Sequence, residues 1–226
     1  MKKIYHIPHS STYIPEKYLS EYNVSKEELE TFSTILSDIK TNEMVDEKDA
    51  IIFPYSRLFC DVERFNYDKE EMNKIGMGIL YKVNHNLDLI REEPSLEIID
   101  FYNEHHTKLN NITKLYLEKY GEVLFIDLHS YSKNTLPYEL NKDSERPEIC
   151  IGINDNFQNI KLLNDIINKI RDFGFTYSIN SPFSGCLVPS DYIDDSRVYG
   201  IMIEIRKDTY ENEDGFNRIK SLLNSL

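Results

Sequence analysis

The segment from Glu122 to Ser130 reads Glu-Val-Leu-Phe-Ile-Asp-Leu-His-Ser. Val123 to Ile126 is a short apolar run, close to the length of a buried strand. Asp127, His129 and Ser130 follow where that strand is expected to end. Because ligands of open α/β sheets bind at the carboxyl ends of the strands, this segment predicts a polar site around His129.

Strand-like and helical patterns alternate along the rest of the chain. We predict strands at 3–7, 51–53, 123–126, 149–153, 175–179 and 198–205. The first predicted helix begins at a capping box formed by Ser25 and Glu28 and runs to about Lys40. Further helices are predicted at 41–47, 94–121, 157–172 and 215–223. Residues 66–94 are expected to form a long irregular loop. The alternation predicts an α/β sandwich around a mostly parallel or mixed sheet.

Composition and charge narrow the class of protein. The chain has 226 residues, enough for one α/β domain, and its formal net charge of −13 argues against nucleic acid or an anionic membrane as a partner. No apolar run approaches the roughly 20 residues of a membrane span, and the first residues lack the apolar core of a signal peptide. Three cysteines at long spacings favour reduced thiols over a disulfide framework. We therefore expect a cytoplasmic protein, of an oligomeric state that the sequence does not reveal.

Two of the six histidines share a pattern. His9 and His129 each follow an apolar run and precede a serine. If both strands are parallel, the two imidazoles reach the same edge of the sheet. Two histidines, one carboxylate and a water are the ligands of many catalytic zinc sites. Asp127 lies on the same side of the strand as His129, where it would hold an imidazole in place.

The carboxylate ligand is left open among three residues. Asp38 lies near the end of the first helical region, and the alternative for it is a solvated helix face. Asp61 and Glu63 lie beside Arg57 and Arg64. The alternative for these two acids is ion pairing with the arginines.

Glu204 is the one charge in the apolar run Ile-Met-Ile-Glu-Ile at 201–205. A charged group inside a buried strand is costly unless it is paired or used. Beside a metal it would suit a general base that takes a proton from water. The alternative is an ion pair with Arg206 or a lysine. Arg57 and Arg64 suit the binding of a carboxylate through two parallel hydrogen bonds.

At these residues the chain resembles the N-formylglutamate amidohydrolase family and, more distantly, the zinc carboxypeptidases and aspartoacylases. The resemblance rests on motifs that occur in the family's order between about residues 4 and 210: Pro8-His9-Ser10, Ser37-Asp38 with Met44-Val45, Asp61-Val62-Glu63-Arg64, Asp127-Leu128-His129-Ser130, Arg146-Pro147 with Gly152, residues 180–185, and Ile203-Glu204-Ile205-Arg206 with Tyr210. Two positions depart from the pattern. Glu63 stands where the family usually has asparagine, and Ser184 replaces one glycine of a pair.

The resemblance implies a single domain over residues 1–226, a three-layer sandwich of the phosphorylase/hydrolase-like, zinc exopeptidase type, and a zinc-dependent hydrolase of N-formyl or N-acyl amino acids such as N-formylglutamate. It implies these roles: His9, Asp38 and His129 as zinc ligands, Glu204 as the catalytic base, Arg57, Arg64 and Asn180 as substrate-binding residues, and Asp127 and Ser130 as supports of the ligands. Zinc would polarise the amide carbonyl and activate water, and Glu204 would pass the water proton to the leaving amine.

Two other functions remain open from the sequence. The first is a catalytically silent protein of the same fold that binds an acidic small molecule. The second is a serine hydrolase that uses Ser10 or Ser130 with a histidine, although neither serine lies in a Gly-x-Ser-x-Gly elbow. Metal analysis separates the first from a zinc enzyme, and sensitivity to chelators separates the second.

Overall fold

A computed structural model describes residues 1–66 and 70–226 of the chain. Within these residues six strands form one sheet: β1 Lys2–Ile7, β2 Ala50–Ile52, β3 Val123–Tyr131, β4 Ile149–Gly152, β5 Tyr177–Ile179 and β6 Val198–Arg206. The strand order is β2-β1-β3-β6-β4-β5. β2, β1, β3 and β6 run parallel to one another, whereas β4 is antiparallel to β6 and parallel to β5. The predicted mixed, mostly parallel sheet is confirmed.

Helices cover both faces of this sheet. Their bounds are α1 Lys26–Leu36, α2 Ile99–Tyr120, α3 Ile160–Asp172 and α4 Glu213–Ser225. α2 packs Leu109 and Leu117 against side chains of β1 and β3 such as Ile4 and Phe125. On the opposite face, α3 and α4 pack against the alternate residues of the same strands, among them Leu124. Because strand side chains alternate between faces, these contacts define an α/β sandwich.

The first helix begins as predicted and ends early. Ser25 and Glu28 form the reciprocal capping box, and α1 ends at Leu36 instead of about residue 40. Ser37 is extended, and the Asp38 amide donates to the His9 carbonyl at 2.8 Å. This tertiary hydrogen bond replaces the next turn of helix. The prediction of a helix to Lys40 was therefore wrong, and the early end brings Asp38 next to β1.

The predicted helix at 41–47 is also wrong. Thr41–Glu43 and Glu47–Asp49 form two separate single turns of 3₁₀-helix. The predicted loop at 66–94 contains a 3₁₀-helix at Glu71–Ile75, and its residues 67–69 lie outside the described part of the chain. None of the described helices combines the length and the apolar character that a bilayer span requires.

The central strand β3 is longer than the apolar run predicted. All nine of its residues pair with β6, from Val123 beside Val198 to Tyr131 beside Arg206. The polar residues Asp127, His129 and Ser130 therefore belong to the strand, whereas the sequence predicted that the strand ends before them. The register also places His129 directly beside Glu204. Residues directly opposite in neighbouring strands point to the same face, so these two side chains lie together on the α2 face.

Candidate active site

His9, Asp38 and His129 form a compact buried cluster at the carboxyl ends of β1 and β3. Asp38 Oδ2 lies 3.2 Å from His129 Nδ1 and 3.6 Å from His9 Nδ1. The two imidazole rings are 5.1 Å apart between centroids. The predicted meeting of the two histidines at one place is confirmed in this geometry, and Asp38, which is 2 % exposed, is not on a solvated helix face.

Neighbouring carboxylates and a hydroxyl hold this cluster in place. His9 Nε2 donates to Asp61 Oδ1 at 2.8 Å, and Ser130 Oγ donates to Asp38 Oδ1 at 3.1 Å. His129 Nε2 lies 3.1 Å from Asp127 Oδ1. A carboxylate behind an imidazole fixes its tautomer and leaves the other ring nitrogen free to bind a metal. Asp61 holds His9 in this way, Ser130 binds the Asp38 carboxylate, and Asp127 lies beside His129 without a well-formed hydrogen bond to it. The supporting roles of Asp127 and Ser130 stay predictions.

The donor set fits a zinc ion. His9 Nδ1 is buried and has no hydrogen-bond partner among the described residues, and it faces Asp38 Oδ2. Tetrahedral bonds of 2.0–2.2 Å to a cation would place ligand atoms roughly 3.4 Å apart, close to the two separations found here. Two imidazole nitrogens and one carboxylate oxygen are typical of catalytic zinc sites, which keep a fourth position for water.

The electrostatics of the cluster favour positive charge at its centre. Burial opposes ionisation of Asp38, but hydrogen bonds with His129 and His9 hold the pKa of its carboxyl well below the usual value. Burial likewise disfavours a charged His129, yet the charges of Asp127 and Glu63 hold its pKa well above the usual value. A site that stabilises an anionic carboxylate and a cationic ring is one in which a bound metal ion can replace the proton.

Glu204 faces this cluster from β6. Its Oε2 is buried without a hydrogen-bond partner, and its carboxylate forms no ion pair with the described residues. Arg206 binds Asp208 instead, so the predicted alternative of a pair between Glu204 and Arg206 was wrong. Burial raises the pKa of Glu204 to about 8. A buried carboxyl beside a candidate metal site suits a group that accepts and releases a proton.

Asp61 connects the cluster to the two arginines. Its Oδ2 accepts from Arg57 Nε at 3.2 Å and Nη2 at 2.9 Å, and from the Tyr81 hydroxyl at 2.8 Å. Arg64 lies 3.5 Å from the same oxygen and donates to the Met77 carbonyl. For Asp61, the predicted ion pairing with the arginines therefore applies, while the same side chain also orients His9. Both arginines line the cavity next to the histidines.

Glu63, the third acid considered as a ligand, lies behind His129 and away from Asp38. Its Oε1 is 3.7 Å from His129 Nε2 and 3.7 Å from His6 Nδ1. His6 also binds Asp127 and, through its other nitrogen, His105. The sequence gives no sign of this connection, because nothing in it states that β1 pairs with β3 or that α2 lies over them.

A cavity of about 440 Å³ opens beside the cluster. Its lining includes His9, Asp38, His129, Glu204, Arg57, Arg64, Glu71 and Lys207, with Phe183 and Ser184 from the loop after β5. Asn180 is exposed and is not among the lining residues, and its side-chain oxygen accepts from the amides of Ile153 and Gly185. The geometry gives Asn180 a part in holding the loop, and its predicted contact with substrate stays a prediction.

Comparisons with known proteins agree with this fold. Over its whole length the chain is similar to the crystal structure of an N-formylglutamate amidohydrolase from Ralstonia eutropha, with a TM-score of 0.81, 19% identity and 91% of that chain covered. It is also similar to a gene product of Agrobacterium tumefaciens, with a TM-score of 0.71, 19% identity and 88% of that chain covered. A search of curated proteins found no match. The model of one family, described as N-formylglutamate amidohydrolase, matches residues 2–211. The chain belongs to the N-formylglutamate amidohydrolase family.

Proposed function

We propose that this amidohydrolase is a zinc-dependent enzyme that cleaves the amide bond of an N-formyl or N-acyl amino acid, with N-formylglutamate as the reference substrate. The observation that carries the proposal is the buried set of His9 Nδ1, Asp38 Oδ2 and His129 Nδ1, with Glu204 beside His129 in the neighbouring strand. His9, Asp38 and His129 would hold the zinc ion. When bound there, zinc would polarise the scissile carbonyl and lower the pKa of water towards about 7.

Glu204 is the proton carrier in this proposal. Its Oε2 has no partner among the described residues, so it is free to accept a proton from the attacking water. The same carboxyl would then give that proton to the nitrogen of the leaving amino acid. Burial raises the pKa of Glu204, and the positive charge of a zinc ion bound beside it would lower that pKa again, so that the carboxyl could both take and release a proton.

The arginines would orient the substrate. Arg57 is held by two hydrogen bonds to Asp61 and lines the cavity, where its guanidinium would stabilise negative charge that develops on the amide oxygen. Arg64 uses its Nε and Nη2 in protein hydrogen bonds and still lines the cavity, so a substrate carboxylate would bind its remaining N–H groups.

The geometry favours an enzyme over a silent binding protein. Burying the unpaired Glu204 oxygen costs stability, and a protein that only binds an acidic ligand gains nothing from a further negative group. A serine nucleophile gains no support, since Ser130 Oγ donates a hydrogen bond to Asp38 and is not paired with an imidazole in the described structure.

Removal of metal tests the proposal. The purified chain is dialysed against a chelator, and hydrolysis of N-formylglutamate, N-formylmethionine and N-acetylglutamate is followed before and after zinc is returned. We expect the zinc-loaded chain to hydrolyse at least one of these compounds. Chelation should abolish this activity, because no metal would then be held by His9, Asp38 and His129. The activity should return in proportion to the zinc that is bound again. Full activity in the metal-free chain would refute zinc dependence, and the absence of hydrolysis from the zinc-loaded chain across N-acyl amino acids would refute the function.

A further inference from the structure

A second group of metal-binding side chains lies behind His129, on the side away from Asp38. Asp127 Oδ1 is 2.9 Å from His6 Nδ1, and Glu63 Oε1 is 3.7 Å from the same nitrogen. The side chains of His6 and Asp127 are 0 % exposed and that of Glu63 is 15 % exposed. One possible ligand atom from each of the three residues lies within 4.8 Å of the other two. The 2.9 and 3.7 Å separations lie on either side of the roughly 3.4 Å expected between ligands of one tetrahedral cation.

Hydrogen bonds from outside the group aim these atoms inwards. The other oxygen of Asp127 accepts from the Leu187 amide at 3.2 Å, which turns Oδ1 towards His6. The other nitrogen of His6, Nε2, lies 2.8 Å from His105 Nε2. An outer partner on the far nitrogen of a histidine is the arrangement that metal-binding imidazoles usually have.

Two buried atoms of this region have no hydrogen-bond partner among the described residues. They are Glu63 Oε1 and His129 Nε2, and the His129 side chain is 6 % exposed. His129 Nε2 faces both Asp127 Oδ1 and Glu63 Oε1, at 3.1 and 3.7 Å. Buried polar atoms are almost always satisfied. With zinc on its Nδ1, His129 would be neutral and could not serve as the positive partner of Glu63, so the orphaned carboxylate oxygen indicates a further cation.

The contact between His6 and His105 limits how the carboxylates of Asp127 and Glu63 can be satisfied. At 2.8 Å, one Nε2 carries the proton and the other accepts it. If His6 donates to His105, a neutral His6 presents a bare Nδ1 to two carboxylates, which is unfavourable without a cation between them. If His105 donates, His6 Nδ1–H satisfies Asp127 but Glu63 Oε1 stays unpaired. A cation satisfies all three atoms at once.

We propose that His6 Nδ1, Glu63 Oε1 and Asp127 Oδ1 bind a second divalent cation, Zn²⁺ or Mn²⁺, behind the candidate zinc site. One imidazole and two carboxylates suit these borderline cations, and a charge of +2 neutralises the two acids that lie together in the interior. Because Asp127 contacts His129, the second cation also fixes the carboxylate that supports a ligand of the first. The inference does not depend on the reaction proposed above.

Metal stoichiometry tests this second site. The full chain is stripped with a chelator and re-equilibrated with Zn²⁺, or separately with Mn²⁺, and the tightly bound metal is measured by mass spectrometry after gel filtration. We expect two equivalents of Zn²⁺ in the wild type. His9→Ala is expected to lose one equivalent, His6→Ala to lose the other, and the double variant to lose both. His85→Ala, outside both groups, is the matched histidine control and should keep two.

Glu63→Gln keeps the size of the side chain and removes its charge, so this variant should lose only the equivalent of metal bound at the second site. Circular dichroism checks that each variant is folded. A wild-type stoichiometry of one with Zn²⁺ and also with Mn²⁺ overturns the second site, and so does a folded Glu63→Gln variant that keeps both equivalents. Two equivalents in a chain that hydrolyses no N-acyl amino acid would refute the proposed function and leave the second site standing.

Discussion

Glu204→Gln is expected to lower kcat by about 10²–10⁴-fold while the zinc content stays unchanged. The amide keeps the size of the glutamate and its place beside His129 in β6, but it cannot accept the water proton. Glu204 is not among the three candidate zinc ligands His9, Asp38 and His129, so zinc binding is expected to survive the change. The measurement is steady-state hydrolysis of the best N-acyl amino acid, with metal analysis of the same sample.

Glu71→Gln is the matched control for this variant. Glu71 lines the same cavity but is exposed, so its substitution should change kcat little. If Glu204→Gln retained full kcat with zinc bound, the role of proton carrier would have to be given to another group.

Asp38→Asn is expected to weaken zinc binding by about a hundredfold to a few thousandfold. Removing one partner of a buried ion pair costs roughly 3–5 kcal/mol. Each 1.4 kcal/mol corresponds to about a tenfold change in affinity. Asparagine keeps the volume and an acceptor for Ser130, so the loss would reflect the missing charge between His9 and His129. Competition with a chromophoric chelator measures the dissociation constant directly.

Asp165→Asn provides the control on the opposite face of the sheet. Asp165 is an exposed residue of α3, and its substitution should leave zinc affinity unchanged. Equal zinc affinity in Asp38→Asn and the wild type would mean that the carboxylate ligand is a different residue.

The sequence was sufficient to predict that His9, His129 and Glu204 lie close together. His9 and His129 each follow an apolar run, and parallel strands carry such residues to one edge of a sheet, where the structure places them. Glu204 stood out because a charge in an apolar strand is costly, and it lies beside His129. These inferences succeeded because they depend on local pattern and on the general geometry of parallel strands.

Features that depend on tertiary contacts could not be predicted. Asp38 reaches the site because α1 stops at Leu36 and the Asp38 amide binds the His9 carbonyl. No capping signal in the sequence marks that end, and the predicted helix ran on to about residue 40. Among the three acids considered as the ligand, only the fold separates Asp38, between the histidines, from Asp61 behind His9.

The contact of α2 with His6 could not be predicted from the sequence. His105 and His106 are adjacent in α2, and adjacent residues of an α-helix point about 100° apart. The structure buries His105 against His6 and leaves His106 partly exposed, with its Nε2 on the Val62 carbonyl. The helical pattern alone does not tell which of the two histidines meets β1.

Anomalous scattering at the zinc edge, from crystals of the zinc-loaded chain, tests the central claim most directly. We expect a peak about 2.0–2.2 Å from His9 Nδ1, His129 Nδ1 and an oxygen of Asp38, with the Glu204 carboxylate facing it across the site. A zinc-loaded crystal whose anomalous peaks all lie away from these three atoms would contradict the account.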